Sequence, residues 1–271
     1  MHYAIEVVPF GEFGDPRNVM RLAQVAEAAG WEGLFVWDHM GFVWGAPAGD
    51  PWVTLAAVAT STSHLKLGVA VAPLPRYSPQ VLARALTGLD LLSQGRVILG
   101  AGLGGSNEEF SAFGEPSDVR ERAAMLDEAL QILDRWMAGE TLNFHGVHYT
   151  VENLALLPLP VQRPRIPIWI GGESRPAMRR AARWDGWVIP GIDQDQAVIR
   201  PPEQLAQELA YIQSHRVPSA PFDVAITGCS DPGQNSLASE YASAGATWWL
   251  ESIFGLRGSL DEMLRRVAAG P

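Results

Sequence analysis

Trp37-Asp38-His39 is the cluster in this chain best equipped for acid–base work, because it follows directly on the apolar run Gly33-Leu34-Phe35-Val36. An imidazole exchanges protons near neutrality, and an adjacent carboxylate can orient or charge it. Trp44, five residues on, could stack on a ring or close a pocket, and could equally serve packing alone.

Three further stretches offer backbone rather than reactive side chains. Gly100-Ala101-Gly102-Leu103-Gly104-Gly105 follows an apolar run and matches a G-x-G-x-x-G pattern. It stands in the fourth strand–helix unit, and no strand ending in an acid comes some 20 residues later, so a dinucleotide fingerprint is the weaker reading. A rim where backbone approaches a ligand closely is the stronger one. Gly171-Gly172-Glu173-Ser174 ends a strand and opens a helix, where free N–H groups and a serine hydroxyl suit a phosphate. Val71-Ala72-Pro73 ends another run in small residues, so a bulge there would let a planar ring lie against backbone. Arg76, Arg175 and Glu251 are polar candidates near these turns, each with an ordinary structural reading beside the functional one.

Other chemistries lack their residues. A Schiff base needs a lysine amine, and the single lysine, Lys66, stands at the start of a strand. No HxH pair, acidic triad or two-histidine-plus-carboxylate set occurs at a strand end, so no metal site is expected. His145-Gly146-Val147-His148 has ligand-like spacing but stands alone on a loop. With net charge −10, nucleic acid is not an expected partner. No apolar run reaches the ~18 residues of a membrane span. The N-terminus lacks a signal-peptide pattern, and the lone Cys229 fits a reducing compartment. The expectation is a cytoplasmic protein.

The elements that must position these residues repeat. Strand-like runs at Tyr3–Pro9, Gly33–His39, Leu67–Pro73, Val97–Leu103, Ile166–Ile170, Gly186–Ile189, Asp223–Thr227 and Thr247–Ile253 are each followed by a helical pattern. Asp15-Pro16 and Asp50-Pro51 are helix starts. With 271 residues, 47 % of them hydrophobic, the chain has ample core for one closed (β/α)8 TIM barrel. A doubly wound open sheet is the alternative. No linker splits residues 1–271, which reads as a single domain with an irregular insertion around 141–165. In such a barrel the chemistry lies at the carboxyl ends of the strands. A rim of glycine and apolar side chains suits a cofactor that brings its own reactivity.

Five stretches, in order, resemble the bacterial-luciferase-like family of flavin- and deazaflavin-dependent oxidoreductases. They are Trp37-Asp38-His39, Leu89 to Gly102, Glu109 to Gly114, Pro160 to Gly172 and Ala181 to Trp187. The resemblance implies reduced FMN or coenzyme F420 at the carboxyl face of the barrel. It implies a non-proline cis peptide at Val71-Ala72 or its neighbour, against the ring, with Gly102 and Leu103 alongside. Phosphate is implied near Gly171, Gly172, Glu173 and Ser174, and His39 with Asp38 beside the redox carbon. Glu251 is a further candidate for a cofactor hydrogen bond. A sugar-phosphate dehydrogenase branch carries a glutamate soon after the fourth strand, where Leu103 stands here; Glu108 and Glu109 follow at a loose distance.

The implied activity is oxidation or reduction of a small organic substrate, by hydride transfer or by flavin-mediated monooxygenation. A non-catalytic flavin-binding barrel is the alternative. The resemblance also implies a homodimer, with Trp52, Leu55 and Val58 as candidate contacts that barrel packing would explain equally well.

Overall fold

The computed structural model describes residues 1–193, 195–217, 221–234 and 236–271. The chain runs β1 (His2–Val7), α1 (Pro16–Ala28), β2 (Gly33–Val36), α2 (Pro51–Ser61), β3 (Lys66–Pro73), α3 (Pro79–Ser93), β4 (Val97–Gly102), α4 (Glu108–Ser111) and α5 (Val119–Met137). It continues β5 (Leu142–His145), β6 (Thr150–Leu154), β7 (Ile168–Gly171), α6 (Arg175–Ala181), β8 (Gly186–Pro190), α7 (Pro202–Gln213), β9 (Asp223–Gly228), α8 (Ser236–Ser243), β10 (Trp248–Ile253) and α9 (Leu260–Ala268).

Strands β1, β2, β3, β4, β7, β8, β9 and β10 pair side by side in parallel, and β10 returns to β1 with Ala4 opposite Leu250. The barrel is therefore closed, as the eight strand–helix units predict, and the open-sheet alternative is excluded. The insertion is an antiparallel hairpin of β5 and β6 with a register shift between Leu142 and Phe144. Its return segment is tied down by buried Asp90 of α3, whose carboxylate accepts from the Val161 and Gln162 amides and the Gln162 side chain.

The Asp-Pro pairs start helices as expected. Asp15 accepts from Arg17 N, Asp50 accepts from Val53 N, and the following proline occupies the first turn. Several strand boundaries differ from the sequence reading by a residue or more, β7 for one starting at Ile168 instead of Ile166. β1 and β2 end at Val7 and Val36, because the chain turns away where Pro9 cannot donate and where Asp38 finds side-chain partners. The short helix α4 after the glycine-rich turn carries no strong sequence signal.

Strand residues alternate between two apolar layers. Ala4, Phe35, Ile98, Trp169, Val188, Ala225, Trp248 and Leu250 pack inside the barrel, while Ile5, Val7, Leu34, Leu99 and Trp249 pack outward against the helices. Phe35 stacks on Trp169 at 5.2 Å between centroids, and Trp248 lies 5.6 Å from Trp169. These rings fill the lumen, so a ligand of any size must sit above them, at the carboxyl ends of the strands. Lys66 opens β3 at the opposite end, with Nζ 3.4 Å from the Gly95 carbonyl.

Candidate active site

The strand alternation decides which side chains reach the mouth. Trp37 and His39 continue the inward face of Phe35, whereas Asp38 turns outward. Trp37 and His39 lie 5.6 Å apart, and the exposed Trp44 meets His39 edge-on at 4.5 Å.

His39 is fixed by Glu109 of α4. Its Nδ1–H donates to Glu109 Oε2 at 3.1 Å, a tautomer assigned from this network, which leaves Nε2 as the free nitrogen. Burial holds the imidazole below its ordinary value, against the pull of Glu109. Glu109 is fully buried and its other oxygen accepts the Met40 amide at 2.5 Å. Arg76 joins the two acids: Nη2 donates to Glu109 at 2.9 Å and Nη1 to Asp38 at 3.3 Å. Tyr77 donates to Asp38 at 2.5 Å and accepts from Trp52 Nε1 at 3.0 Å. Burial nevertheless outweighs Tyr77 and Arg76 and pushes Asp38 up to about 6. Asp38 and His39 therefore do not touch as a pair. Each is held separately, through Arg76 and Glu109.

The adjoining wall is built from β3, β4 and β7, with β3 paired directly to β2. The Ala70–Val71 peptide is cis, and the β3–β4 register shifts between Val69 and Ala72. This is the neighbour of the expected Val71–Ala72 bond. Val71 turns inward, while Ala72 is buried in the outer layer. The glycines around it have a physical reason that spacing does not disclose. A Cβ on Gly102 would lie 2.6 Å from Val71 Cγ2, one on Gly171 would lie 2.8 Å from Cγ1, and one on Gly100 would lie 2.3 Å from the Val69 carbonyl. They make room first for the bulged strand. Val71, Gly100, Gly102 and Gly171 then form a low apolar wall with no polar side chain, which fits one face of a planar ring.

The remaining candidates are placed as follows. Leu103 packs outward against the helix-side core. Gly172 has φ +112° and gives its carbonyl to Trp187 Nε1 at 2.9 Å. Ser174 caps α6, accepting from Ala177 N, so its own O–H is left to donate. Glu173 is half exposed and pairs with Arg200 at 2.6 Å. Arg175 lies over the Tyr211 ring at 4.0 Å. Arg180 of α6 is buried and holds Asp127 of α5 with two bonds. Glu251 is not brought to the mouth. It faces outward with Trp249, is fully buried, and its oxygens are taken by Arg257, Arg266, Trp249 and Ser230. A saturated carboxylate behind the barrel wall cannot reach a ligand in front of it.

Two residues in and behind the mouth escaped the sequence reading. Glu6 continues the inward face of Ala4, and Tyr77 holds Asp38. A period-two count from Ala4 would have flagged Glu6, but no local pattern links Tyr77 to Asp38.

A family model described as luciferase-like monooxygenase matches residues 4–230. The chain belongs to the luciferase-like monooxygenase family. Among its relatives is an F420-dependent hydroxymycolic acid dehydrogenase of Mycobacterium tuberculosis, 34 % identical over 180 residues. That match covers 65 % of this chain and 49 % of the relative, so the chain spans about half of that protein's length. A monooxygenase from Streptomyces bottropensis superimposes with a TM-score of 0.79 at 22 % identity, covering 98 % of this chain and 96 % of that one. The coenzyme F420-dependent tetrahydromethanopterin reductase of Methanopyrus kandleri gives 0.77 at 16 % identity, with 98 % and 97 % covered. Likeness at this identity establishes the barrel, and this luciferase-like chain shares it end to end. Among the described residues no helix is long and apolar enough to cross a membrane.

Proposed function

We propose that this luciferase-like protein is an oxidoreductase that uses F420 or FMN to act on a small organic substrate. The observation that carries the reading is the meeting of two features at one end of the barrel: the inward Val71 of β3 with its glycine neighbours, and the free Nε2 of His39 just past β2, the strand paired to β3. Val71, Gly100, Gly102 and Gly171 would hold the ring, and Gly172 and Ser174 the phosphate of the tail, with Glu173 kept neutralised by Arg200. When bound, such a carrier supplies or accepts a hydride, or with dioxygen delivers an oxygen atom.

The chain's own residues do the rest. Glu109 holds the His39 ring so that Nε2 faces the mouth and can take or give the accompanying proton. Arg76 is a positioning residue: it fixes Glu109 and balances two buried acids. Trp37 and Trp44, 5.6 and 4.5 Å from the imidazole, cover part of its surface against water. The F420 relative and the F420-dependent neighbour favour hydride transfer, and the monooxygenase neighbour keeps oxygenation as the second reading.

The same proposal takes residues 1–271 as one barrel domain, working in the cytoplasm as a homodimer. Leu55 and Val58 belong to the protomer's own core, so they do not make the dimer contact. Exposed Val53 of α2 and Val81, Leu91 and Leu92 of α3 are the apolar residues left on that side.

Titration of the purified chain with FMN and with F420, followed by absorbance, tests the function. One of the two is expected to bind and raise the melting temperature; at 100 times its Kd the gain is about 2.7 kcal/mol. His39→Ala is expected to keep carrier binding and lower turnover by about 100-fold or more, the usual contribution of a positioned acid–base group. Binding of neither carrier would refute the proposal, and an unchanged rate would remove His39 from the chemistry.

A further inference from the structure

Five carboxyls are buried among the described residues, and four of them are compensated. Asp38 and Glu109 share Arg76, Glu251 has Arg257 and Arg266, and Asp90 accepts two backbone amides and an amide side chain. Glu6 differs. It is 2 % exposed, and it has neither a cation nor a backbone donor. Its Oε2 accepts from the Thr227 hydroxyl at 3.0 Å, and the Trp37 indole also donates to it.

Its place is the mouth. Ala4, two residues before it, lies in the inner layer with Trp248 and Leu250, so Glu6 faces inward at the register of Phe35, beside the Trp37 indole, whose ring lies 5.6 Å from His39. The groups facing it are Trp37 just past β2, Thr227 from β9, Ser252 of β10 in register with it and, by the same alternation, Cys229 just past β9. Arg257, Arg266 and Glu251 lie on the far side of β10, already paired with one another. Arg76, the arginine nearest this end of the barrel, is committed to Asp38 and Glu109, which leaves Glu6 without a countercharge.

We propose that Glu6 determines substrate specificity, by selecting a substrate that carries a protonated amine or iminium nitrogen. The inference rests on the carrier site proposed above and names the substrate class that would sit beside it. Burial pushes Glu6 up to about 7, against Thr227 and Trp37, so the empty carboxyl holds its proton around neutrality. A cation brought against it takes the place of that proton, which leaves to solvent, and the charge pair is then buried together. A neutral alcohol or carbonyl compound would instead bind best while the proton stays.

The two cases have opposite pH dependence. Cyclohexylammonium and cyclohexanol, titrated calorimetrically into the full chain with and without carrier, separate them. For the ammonium, affinity is expected to rise about tenfold between pH 6 and pH 8, because the ionised fraction of a group near 7 rises by that factor. Glu6→Gln, checked by its melting curve for an intact fold, is expected to abolish that rise and to hold cyclohexanol near its pH 6 affinity at both pH values. Thr227→Val removes a donor that favours the ionised form, so the midpoint of the rise should move to higher pH. An ammonium that fails to bind, an affinity flat in pH, a preference for cyclohexanol at pH 8, or a rise that survives Glu6→Gln overturns the inference. Carrier binding is read separately by absorbance. Its loss counts against the proposed function and not against Glu6.

Discussion

Arg76→Ala is expected to lower stability by about 3–5 kcal/mol at pH 8, the cost of leaving buried charges without their partner. For a chain of this size that corresponds to a melting temperature roughly 10 °C lower. The reason is that one guanidinium serves two acids. Nη1 bonds Asp38, which is 6 % exposed, and Nη2 bonds Glu109, which is fully buried. The loss has a sign in pH. A carboxyl raised in the fold keeps its proton longer than in the unfolded chain, so its contribution is fully present below about pH 4. It is lost as pH rises through the folded value, about 6 for Asp38. Removing Arg76 moves that value further up, so the deficit should grow from pH 5 to pH 8. Arg76→Lys keeps one charge but cannot span both acids, and should fall between. Thermal melts at the two pH values check the series. A deficit independent of pH would mean that Arg76 acts through packing on Phe110, 5.4 Å from its guanidinium carbon, and not through charge.

Gly102→Ala is the second large effect, expected to cost about 1–3 kcal/mol and to weaken carrier binding at least about tenfold. The new methyl would stand 2.6 Å from Val71 Cγ2. Valine has little χ1 freedom, so the bulge itself must shift. The clash involves a side chain and not backbone, so it can be relieved from the other side. Val71→Ala in the same chain should recover most of the stability, with a favourable coupling of about 1 kcal/mol or more. Urea denaturation of the two single variants and the double variant completes the cycle. Strictly additive losses would show that the glycine serves something other than Val71.

Much of this protein was legible before any coordinates. The Asp-Pro helix starts, the eight alternating units and the break in that rhythm after Met137 follow from local physics: a cap, a period, a run of prolines. The site was legible by type more than by partner. Asp38 and His39 stand together in sequence, yet alternation sends one outward to Tyr77 and the other inward to the mouth. Their link runs through Arg76 and Glu109, 38 and 70 residues away from them. Glu251 failed for the same reason as Glu6: the parity of a strand decides whether an acid faces the lumen or the helices, and composition at a strand end does not. The glycines of β4 were read as ligand contacts, but their first debt is to Val71, a contact across strands that no spacing reveals.

The central claim is that a planar redox carrier lies on the Val71 wall, with His39 beside it. A crystal structure of the protein soaked with whichever carrier binds in solution tests it most directly. The account predicts a ring in van der Waals contact with Val71, His39 Nε2 turned toward its reactive edge, and the phosphate beside Gly172 and Ser174. A mouth closed by Trp37 and Trp44 with the ring elsewhere, or a tail anchored away from the end of β7, would contradict it.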